Sequence, residues 1–207
     1  THYTSEKVAY LTFDDGPDNK NTPAVLDILK ANGIHATFYV TGQMAQENPA
    51  VLKRIFAEGH AIGNHSYDHN YKRLYKSKED FLADMQQSEE IIFNILGVRP
   101  LIIRAPGGTV GMFGNDFYEA VNLAGYVPHD WNVSTEDATA KRPNAAQEVQ
   151  LVDRMTKGRL KDDMALVLMH SCAGKEQTVK ALQGIINTLK AKGYRFGVVT
   201  PITPQPW

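Results

Sequence analysis

Residues 8–18 read VAYLTFDDGPD, a run of apolar, aromatic and β-branched residues that ends at two aspartates followed by glycine and proline. The run over 8–13 has the length and composition of a buried β-strand. Asp14 and Asp15 would then lie at the carboxyl end of that strand. Neighbouring carboxylates repel each other, and neither is buried cheaply without positive charge nearby. The pair is therefore compatible with a solvated turn, a helix cap or a functional site.

The rest of the chain alternates strand-like and helix-like segments. Strands are predicted at 8–13, 36–40, 60–66, 101–104, 126–133, 165–169 and 196–199, and helices at 22–33, 49–59, 77–97, 115–124, 143–157 and 176–192. In the first helix we expect Thr22 as the N-cap, Pro23 as the first helical residue and Gly33 at the end. Such alternation is typical of βα units around a parallel sheet. About seven units favour a single-domain α/β fold that forms a closed or nearly closed barrel.

Composition limits the class of partner. The 207 residues are 43% hydrophobic and 22% charged, and the formal net charge is -1. A protein that binds DNA or RNA needs clustered Lys and Arg to neutralise phosphates, so nucleic acid is not the expected partner. No apolar run reaches the length of a transmembrane segment. The single cysteine, Cys172, excludes an intramolecular disulfide.

Polar residues suited to chemistry follow the predicted strands. In a parallel β/α fold the active site forms at the carboxyl ends of the strands. We therefore expect the polar residues at these ends to lie close together. They are Asp14, Asp15, His65, Arg104, Asp130, Asp137 and His170.

The segment HSYDH, residues 65–69, predicts part of a metal site. Two histidines four positions apart can converge on one ion, although two surface histidines are an equally good interpretation of the spacing alone. One carboxylate of the aspartate pair would supply the missing oxygen ligand. Two imidazoles and one carboxylate leave positions open for water and substrate, as in catalytic zinc sites. The second aspartate could then act as a base.

Three further features fit this interpretation, each beside a simpler one. Arg104 could orient the base carboxylate through its forked guanidinium, or it could be a surface cation. The turn at 106–108 could present a backbone N–H to an oxyanion. His170 is a candidate acid, although a lone histidine after an apolar run is more often structural.

Five motifs together resemble a known family. TFDDGP (12–17), HSYDH (65–69), RAPGG (104–108), WNVSTED (131–137) and LVLMH (166–170) are similar in order and spacing to the polysaccharide deacetylases of the NodB-homology type, carbohydrate esterase family 4. The resemblance covers about residues 8–200. It implies one catalytic domain over 1–207 with a distorted (β/α)7–8 barrel, and metal-dependent removal of acetyl groups from N-acetylglucosamine-type sugars.

Transferred to this sequence, the family's motifs assign the metal and base residues. Asp14 would be the general base and Asp15 a metal ligand, with His65 and His69 as the other ligands. Arg104 would hold Asp14. The expected cofactor is one divalent ion, Zn²⁺ first, with Co²⁺ or Ni²⁺ as alternatives.

The same resemblance assigns the remaining site residues. His170 would be the general acid, with Asp137 beside it to hold and tune its imidazole. The backbone N–H of Gly107 would face the oxyanion. Leu168 and Trp131 would line the pocket for the acetyl methyl group.

The resemblance also implies a substrate and a location. We expect an acetylated polysaccharide, peptidoglycan or chitin-like oligomers first, and extracellular or cell-wall action. The alternatives are an acetylxylan esterase, a non-catalytic module that binds cell-wall glycan, and a metal phosphoesterase. Ala105, Gly107 and Ala138 are smaller than the residues usual in the family, so a more open groove with weaker aromatic stacking is expected.

Overall fold

The computed structural model describes residues 6–206, so both ends of the expected 1–207 domain lie outside the described part. Its strands are β1 (Val8–Asp14), β2 (Thr37–Val40), β3 (Ala61–Asn64), β4 (Ile102–Ile103), β5 (Val127–Pro128), β6 (Val133–Ser134), β7 (Met164–His170) and β8 (Arg195–Phe196). Its helices are α1 (Asn21–Ala31), α2 (Gly42–Glu47), α3 (Pro49–Ala57), α4 (Tyr71–Leu74), α5 (Lys78–Leu96), α6 (Asn115–Leu123), α7 (Ala145–Met155) and α8 (Glu176–Ala191). A 3-10 turn at Lys161–Asp163 precedes β7.

The strands form one parallel sheet in the order β5-β4-β3-β2-β1-β7-β6, with β8 paired to the first residues of β1. Within residues 6–206 the edge strands β5 and β6 do not pair with each other. The sheet is therefore a curled half-barrel that stays open on one side. The predicted α/β fold, a distorted single-domain barrel, is confirmed.

The core packs against both faces of β1. Leu11 and Phe13 are fully buried and belong to the main cluster, which packs α1 and α8 against the sheet. Tyr10, which precedes Leu11 and points to the opposite face, packs against a smaller cluster that includes Tyr39 and Leu166. Complete burial of one large apolar side chain contributes about 1.5–3 kcal/mol, so β1 is held firmly between its neighbours.

The ends of α1 agree with the sequence in part. Gly33 lies just beyond the helix with a φ of 64°, as predicted. The predicted N-cap was wrong, because Thr22 lies inside α1 and its backbone N–H donates to Asp18 Oδ1 at 2.7 Å. The helix accordingly begins before Pro23. The Thr22 hydroxyl instead donates to the carbonyl oxygen of Ser171 at 2.8 Å, so it joins α1 to the end of β7.

Arg104 explains why the strand predicted over 126–133 is two short ones. Its guanidinium donates to the carbonyl oxygens of His129 and Asp130 at 3.0 and 2.8 Å. Those oxygens accept from a side chain, and β5 and β6 are separated there.

Two other elements differ from the sequence prediction. The last strand occupies 195–196 instead of 196–199, and α2 was not predicted. In the described part of the chain no helix has the length and hydropathy to cross a membrane.

We predict that Gly63→Ala destabilises the fold and the site together. A Cβ at Gly63 would lie 2.3 Å from Cδ1 of the buried Tyr39, whose ring packs 4.3 Å from the Arg104 guanidinium carbon. Overpacking of this kind costs about 1–3 kcal/mol. Urea denaturation should show a lower midpoint than for the native chain. In the control Gly114→Ala, the new Cβ meets only a carboxylate oxygen of the exposed Asp116, at 3.0 Å. Equal midpoints for the two variants would contradict the prediction.

Candidate active site

The register of the central strands brings the first functional residues together. Asp14 ends β1 and is the parallel partner of His170, which ends β7. The ladder continues past both residues, because the N–H of Ser171 donates to the Asp14 carbonyl oxygen at 3.2 Å. Residues far apart in sequence therefore meet at one carboxyl edge of the sheet, as the strand-end argument predicts.

Arg104 holds the Asp14 carboxylate from behind. It follows β4 and is fully buried. Its Nη1 donates to Asp14 Oδ1 at 2.9 Å and to Thr12 Oγ1 at 2.7 Å. With the carbonyl oxygens of His129 and Asp130 accepting from the other nitrogens, the guanidinium is fixed in one orientation. The Oδ1 side of Asp14 is thus occupied, and Oδ2 is left for the pocket.

Asp15, His65 and His69 converge beside that second oxygen. His65 Nδ1 lies 2.7 Å from the Arg104 carbonyl oxygen and donates to it, which leaves Nε2 directed at the carboxylates. His65 Nε2 is 3.3 Å from Asp15 Oδ1 and 3.7 Å from Asp14 Oδ2. His69 Nε2 is 3.8 Å from Asp15 Oδ1.

These three side chains fit a divalent metal ion. One potential ligand atom from each of Asp15, His65 and His69 lies within 4.8 Å of the others. Tetrahedral zinc with metal–ligand bonds of about 2.0–2.1 Å places nitrogen and oxygen ligands roughly 3.3 Å apart. Asp15 Oδ1 is buried and forms no hydrogen bond with residues 6–206. A buried oxygen without a donor, facing two imidazoles, fits the requirements of a ligand atom for a metal ion.

Electrostatics also favours positive charge at this position. Burial alone would raise the pKa of Asp15, but the close approach of His65 and the charges of His65, His170 and His69 together lower it well below its usual value. Burial and the charge of His65 lower the pKa of His69, which favours the neutral imidazole that can bind a metal. Asp15 and His69 are also in the left-handed backbone region, with φ of 74° and 60°. Such strain is common at functional sites.

Asp137 orients His170 on the other side of the pocket. Asp137 Oδ1 lies 2.7 Å from His170 Nδ1, and its Oδ2 accepts from the backbone N–H of His170 at 2.8 Å and from Thr178 Oγ1 at 2.9 Å. Burial lowers the pKa of His170, but the hydrogen bond and charge of Asp137 outweigh it, so the net shift is upward. His170 Nε2 is 3.8 Å from Asp15 Oδ2 and so faces the candidate metal ligands.

All these groups surround one open pocket of about 280 Å³. Among the ten residues that the family resemblance assigns to the site, Arg104 and Asp137 lie behind the wall, where they hold Asp14 and His170. The other eight line the pocket, together with Tyr71, Ala105 and Ala138. The predicted lining residues are Asp14, Asp15, His65, His69, Gly107, Trp131, Leu168 and His170.

The turn at 104–108 forms a further wall. Gly107 has a φ of 79°, and a Cβ there would lie 3.0 Å from the Tyr71 hydroxyl oxygen. Only glycine satisfies both conditions easily. Within residues 6–206 the Gly107 N–H makes no hydrogen bond. Tyr75 fixes the turn through a 2.6 Å hydrogen bond to the Pro106 carbonyl oxygen.

Sequence reasoning missed several contributors to this site. Tyr71 occupies the space beside Gly107, and no motif pointed to it. Thr178 lies in the first turn of α8 and not at a strand end, and Glu148 on α7 contacts it at 2.8 Å. Asp130 was one of the strand-end candidates, but its carboxylate accepts from the N–H and hydroxyl of Thr109 at 2.8 and 2.7 Å and stays outside the pocket.

This chain is similar to known proteins along most of its length. The family model for polysaccharide deacetylase matches residues 1–129. A peptidoglycan-N-acetylglucosamine deacetylase from Bacillus cereus is 36% identical over 191 residues, which cover 92% of this chain and 68% of that protein. The solved structure of a polysaccharide deacetylase from Bacillus cereus is 34% identical with a TM-score of 0.87, covering 98% of this chain and 97% of that one. A carbohydrate esterase of family 4 from Streptococcus mutans gives 31% identity and a TM-score of 0.88 over 94% and 87% of the two chains. The chain therefore belongs to the polysaccharide deacetylase family.

Proposed function

We propose that this protein removes acetyl groups from N-acetylglucosamine-type polysaccharide, either peptidoglycan or chitin-like oligomers, in a metal-dependent hydrolysis. The observation that carries the proposal is the convergence of Asp15, His65 and His69 beside Asp14 and His170 in a single pocket. The peptidoglycan-N-acetylglucosamine deacetylase named among its relatives supports the substrate class. We place the action at the cell wall or outside the cell, with residues 1–207 as one catalytic domain.

Asp15, His65 and His69 would hold the metal ion. When bound, a divalent ion such as Zn²⁺, Co²⁺ or Ni²⁺ lowers the pKa of water and polarises the oxygen of the acetyl carbonyl. Two imidazoles and one carboxylate satisfy the preference of these ions for nitrogen and oxygen ligands. The hydrogen bond from His65 Nδ1 to the Arg104 carbonyl oxygen fixes the ring so that Nε2 is the ligand atom.

Asp14 is the proposed general base. Arg104 occupies its Oδ1 at 2.9 Å, and its Oδ2 faces the candidate ligands, 3.7 Å from His65 Nε2. That oxygen can accept a proton from a water molecule as the water attacks the acetyl carbon. Arg104 keeps the carboxylate in place throughout, because all three of its nitrogens are held by buried acceptors.

Gly107 and His170 are proposed to complete the reaction. Attack converts the amide carbonyl into a tetrahedral oxyanion, and the Gly107 N–H is available to donate to it. As the C–N bond breaks, His170 Nε2 gives its proton to the departing nitrogen, so the products are acetate and a free amine. Asp137 keeps Nδ1 protonated and Nε2 directed at the pocket.

The pocket walls suit a small acetyl group with a sugar above it. Leu168 and Trp131 supply apolar surface for the methyl group, and Tyr71, which is exposed, stands at the mouth. Aromatic faces of this kind can pack against sugar rings. The acetylxylan esterase alternative differs in the leaving group, which is an alcohol instead of an amine. An amine needs protonation as it departs more than an alcohol does. The Asp137–His170 pair supplies a proton and therefore favours an amide substrate.

We expect chelator-sensitive release of acetate from N-acetylated glycans. The assay compares peptidoglycan, N-acetylchitooligosaccharides and acetylated xylan, before and after dialysis against a chelator. Activity should fall after chelation and return with Zn²⁺, Co²⁺ or Ni²⁺. Acetate release that resists a chelator would rule out the metal-dependent mechanism. Activity on acetylated xylan alone would favour the esterase alternative, and metal binding without acetate release would favour a glycan-binding module.

Asp14 and Asp15 should separate metal binding from turnover. Asp15→Ala removes a ligand and should lose bound metal. Asp14→Asn should retain metal but lose turnover by about 10²–10⁴-fold, the range for a general base. Metal content after dialysis and acetate release measure the two effects. Asp68→Asn is the matched control, because this carboxylate lies between the histidines but pairs with Arg73. Loss of metal in Asp14→Asn with retention in Asp15→Ala would reverse the assignment.

Asp137 should control the alkaline limb of the pH profile. The proposed acid works only while protonated, so activity falls as pH rises through the pKa of His170. The Asp137 carboxylate raises that pKa. In Asp137→Asn the hydrogen bond to a charged partner is lost, and the alkaline limb of kcat/KM should move to lower pH. A profile that kept the limb in place would show that His170 does not titrate as the acid.

A further inference from the structure

A second acid lies behind Asp137. Thr178 on α8 places its hydroxyl oxygen 2.9 Å from Asp137 Oδ2 and 2.8 Å from Glu148 Oε1. Glu148 lies on α7 and is completely buried, and Thr178 is 1% exposed. A chain of short contacts thus runs from Glu148 through Thr178 and Asp137 to His170 Nδ1.

The number of available protons determines which group donates in each of these contacts. The Thr178 hydroxyl has one hydrogen and lies between two carboxyl oxygens, so two short contacts need two protons. The second proton must therefore come from one of the two acids. Asp137 is the acceptor, because its Oδ2 also receives the backbone N–H of His170 at 2.8 Å and its Oδ1 faces His170 Nδ1. Glu148 is left as the protonated acid that donates to Thr178.

The surroundings of Glu148 agree with this assignment. Burial raises its pKa to about 7, the nearby charge of Asp137 adds to the rise, and Thr178, Lys175 and Thr135 oppose it. Lys175 makes its hydrogen bond to the Asp137 carbonyl oxygen, at 2.7 Å, so its ammonium does not neutralise Glu148 directly. Within residues 6–206, Glu148 Oε2 has no hydrogen-bond partner. An ionised carboxylate left this way would be far more costly than a neutral acid.

We propose that Glu148 is a positioning residue that acts as a neutral carboxylic acid. Its proton is donated to Thr178 Oγ1, so the single Thr178 hydrogen is committed to Asp137 Oδ2. Asp137 is then held by donors on both oxygens and presents Oδ1 to His170 Nδ1. This inference rests on the proposed function, because His170 is the proton donor whose geometry the chain maintains.

The test compares variants that keep or remove the donor. Glu148→Gln retains an N–H that can replace the acid proton, and kcat should stay within about three-fold of the native value. Glu148→Met removes the donor at similar size and should lower kcat about ten-fold or more, with KM little changed. Thr178→Val should show the same loss, and Thr178→Ser should restore most of the activity.

Controls separate this role from packing. Thr156→Val removes another buried threonine hydroxyl, which donates to the Val152 carbonyl oxygen at 2.6 Å near the end of α7. It should lower the Tm and leave kcat unchanged. All assays are run well below the lowest Tm of the set. Any one of three results would overturn the proposal. The first is an equal loss of kcat in Glu148→Gln and Glu148→Met, and the second is an equal loss in Thr178→Ser and Thr178→Val. The third is an unchanged kcat in both Glu148→Met and Thr178→Val.

A second measurement does not depend on catalysis. The infrared difference spectrum between the native protein and Glu148→Gln, taken at about pH 6, should contain the C=O band of a protonated carboxylic acid. A difference spectrum with carboxylate bands and no such C=O band would overturn the proposal, whatever the catalytic activity of the protein. If the native protein released no acetate but showed the acid band, the proposed function would fail while the protonation of Glu148 stood.

Discussion

The guanidinium of Arg104 is fully buried at the edge of the sheet, and the active-site geometry depends on how that charge is satisfied. Removing such an ion from water costs several kcal/mol unless it is paired and fully hydrogen-bonded. Here its nitrogens reach Thr12, Asp14 and two backbone carbonyl oxygens, and the Tyr39 ring covers the group at 4.3 Å. The same contacts place one carboxylate oxygen of Asp14 toward the pocket and hold the segment that separates β5 from β6 along the chain.

Much of the fold and most of the pocket could be predicted because both follow from simple patterns. Apolar runs of strand length identify parallel strands, and the carboxyl ends of such strands meet at one edge. This rule alone brings Asp14, His65, Arg104 and His170 together, and Asp137 joins them from the loop that follows β6. The division of labour within the aspartate pair was not readable from the residues alone, since two adjacent carboxylates are equivalent until their neighbours are known.

The parts that could not be predicted depend on contacts between distant segments. Glu148 and Thr178 are ordinary polar residues on two helices, and only the packing of α7 against α8 reveals that they touch. Tyr71 belongs to the site because the turn at Gly107 approaches it. The spacing of apolar and polar residues in the sequence does not indicate this approach. Thr22 looked like a helix cap because that residue type often is one, but Asp18 reaches the first turn and takes the role.

The pairing of β1 with β7 has a consequence for how the molecule is made. These strands are joined along seven residues, although the bond from Thr12 to the Val167 carbonyl oxygen spans 155 positions of sequence. A ribosome releases β1 well before β7, so one edge of β1 stays without its neighbour during most of the synthesis of this domain. Contacts of such long range also close slowly. The proposed base, Asp14, is therefore synthesised early, and the proposed acid, His170, arrives only with the strand that covers that edge.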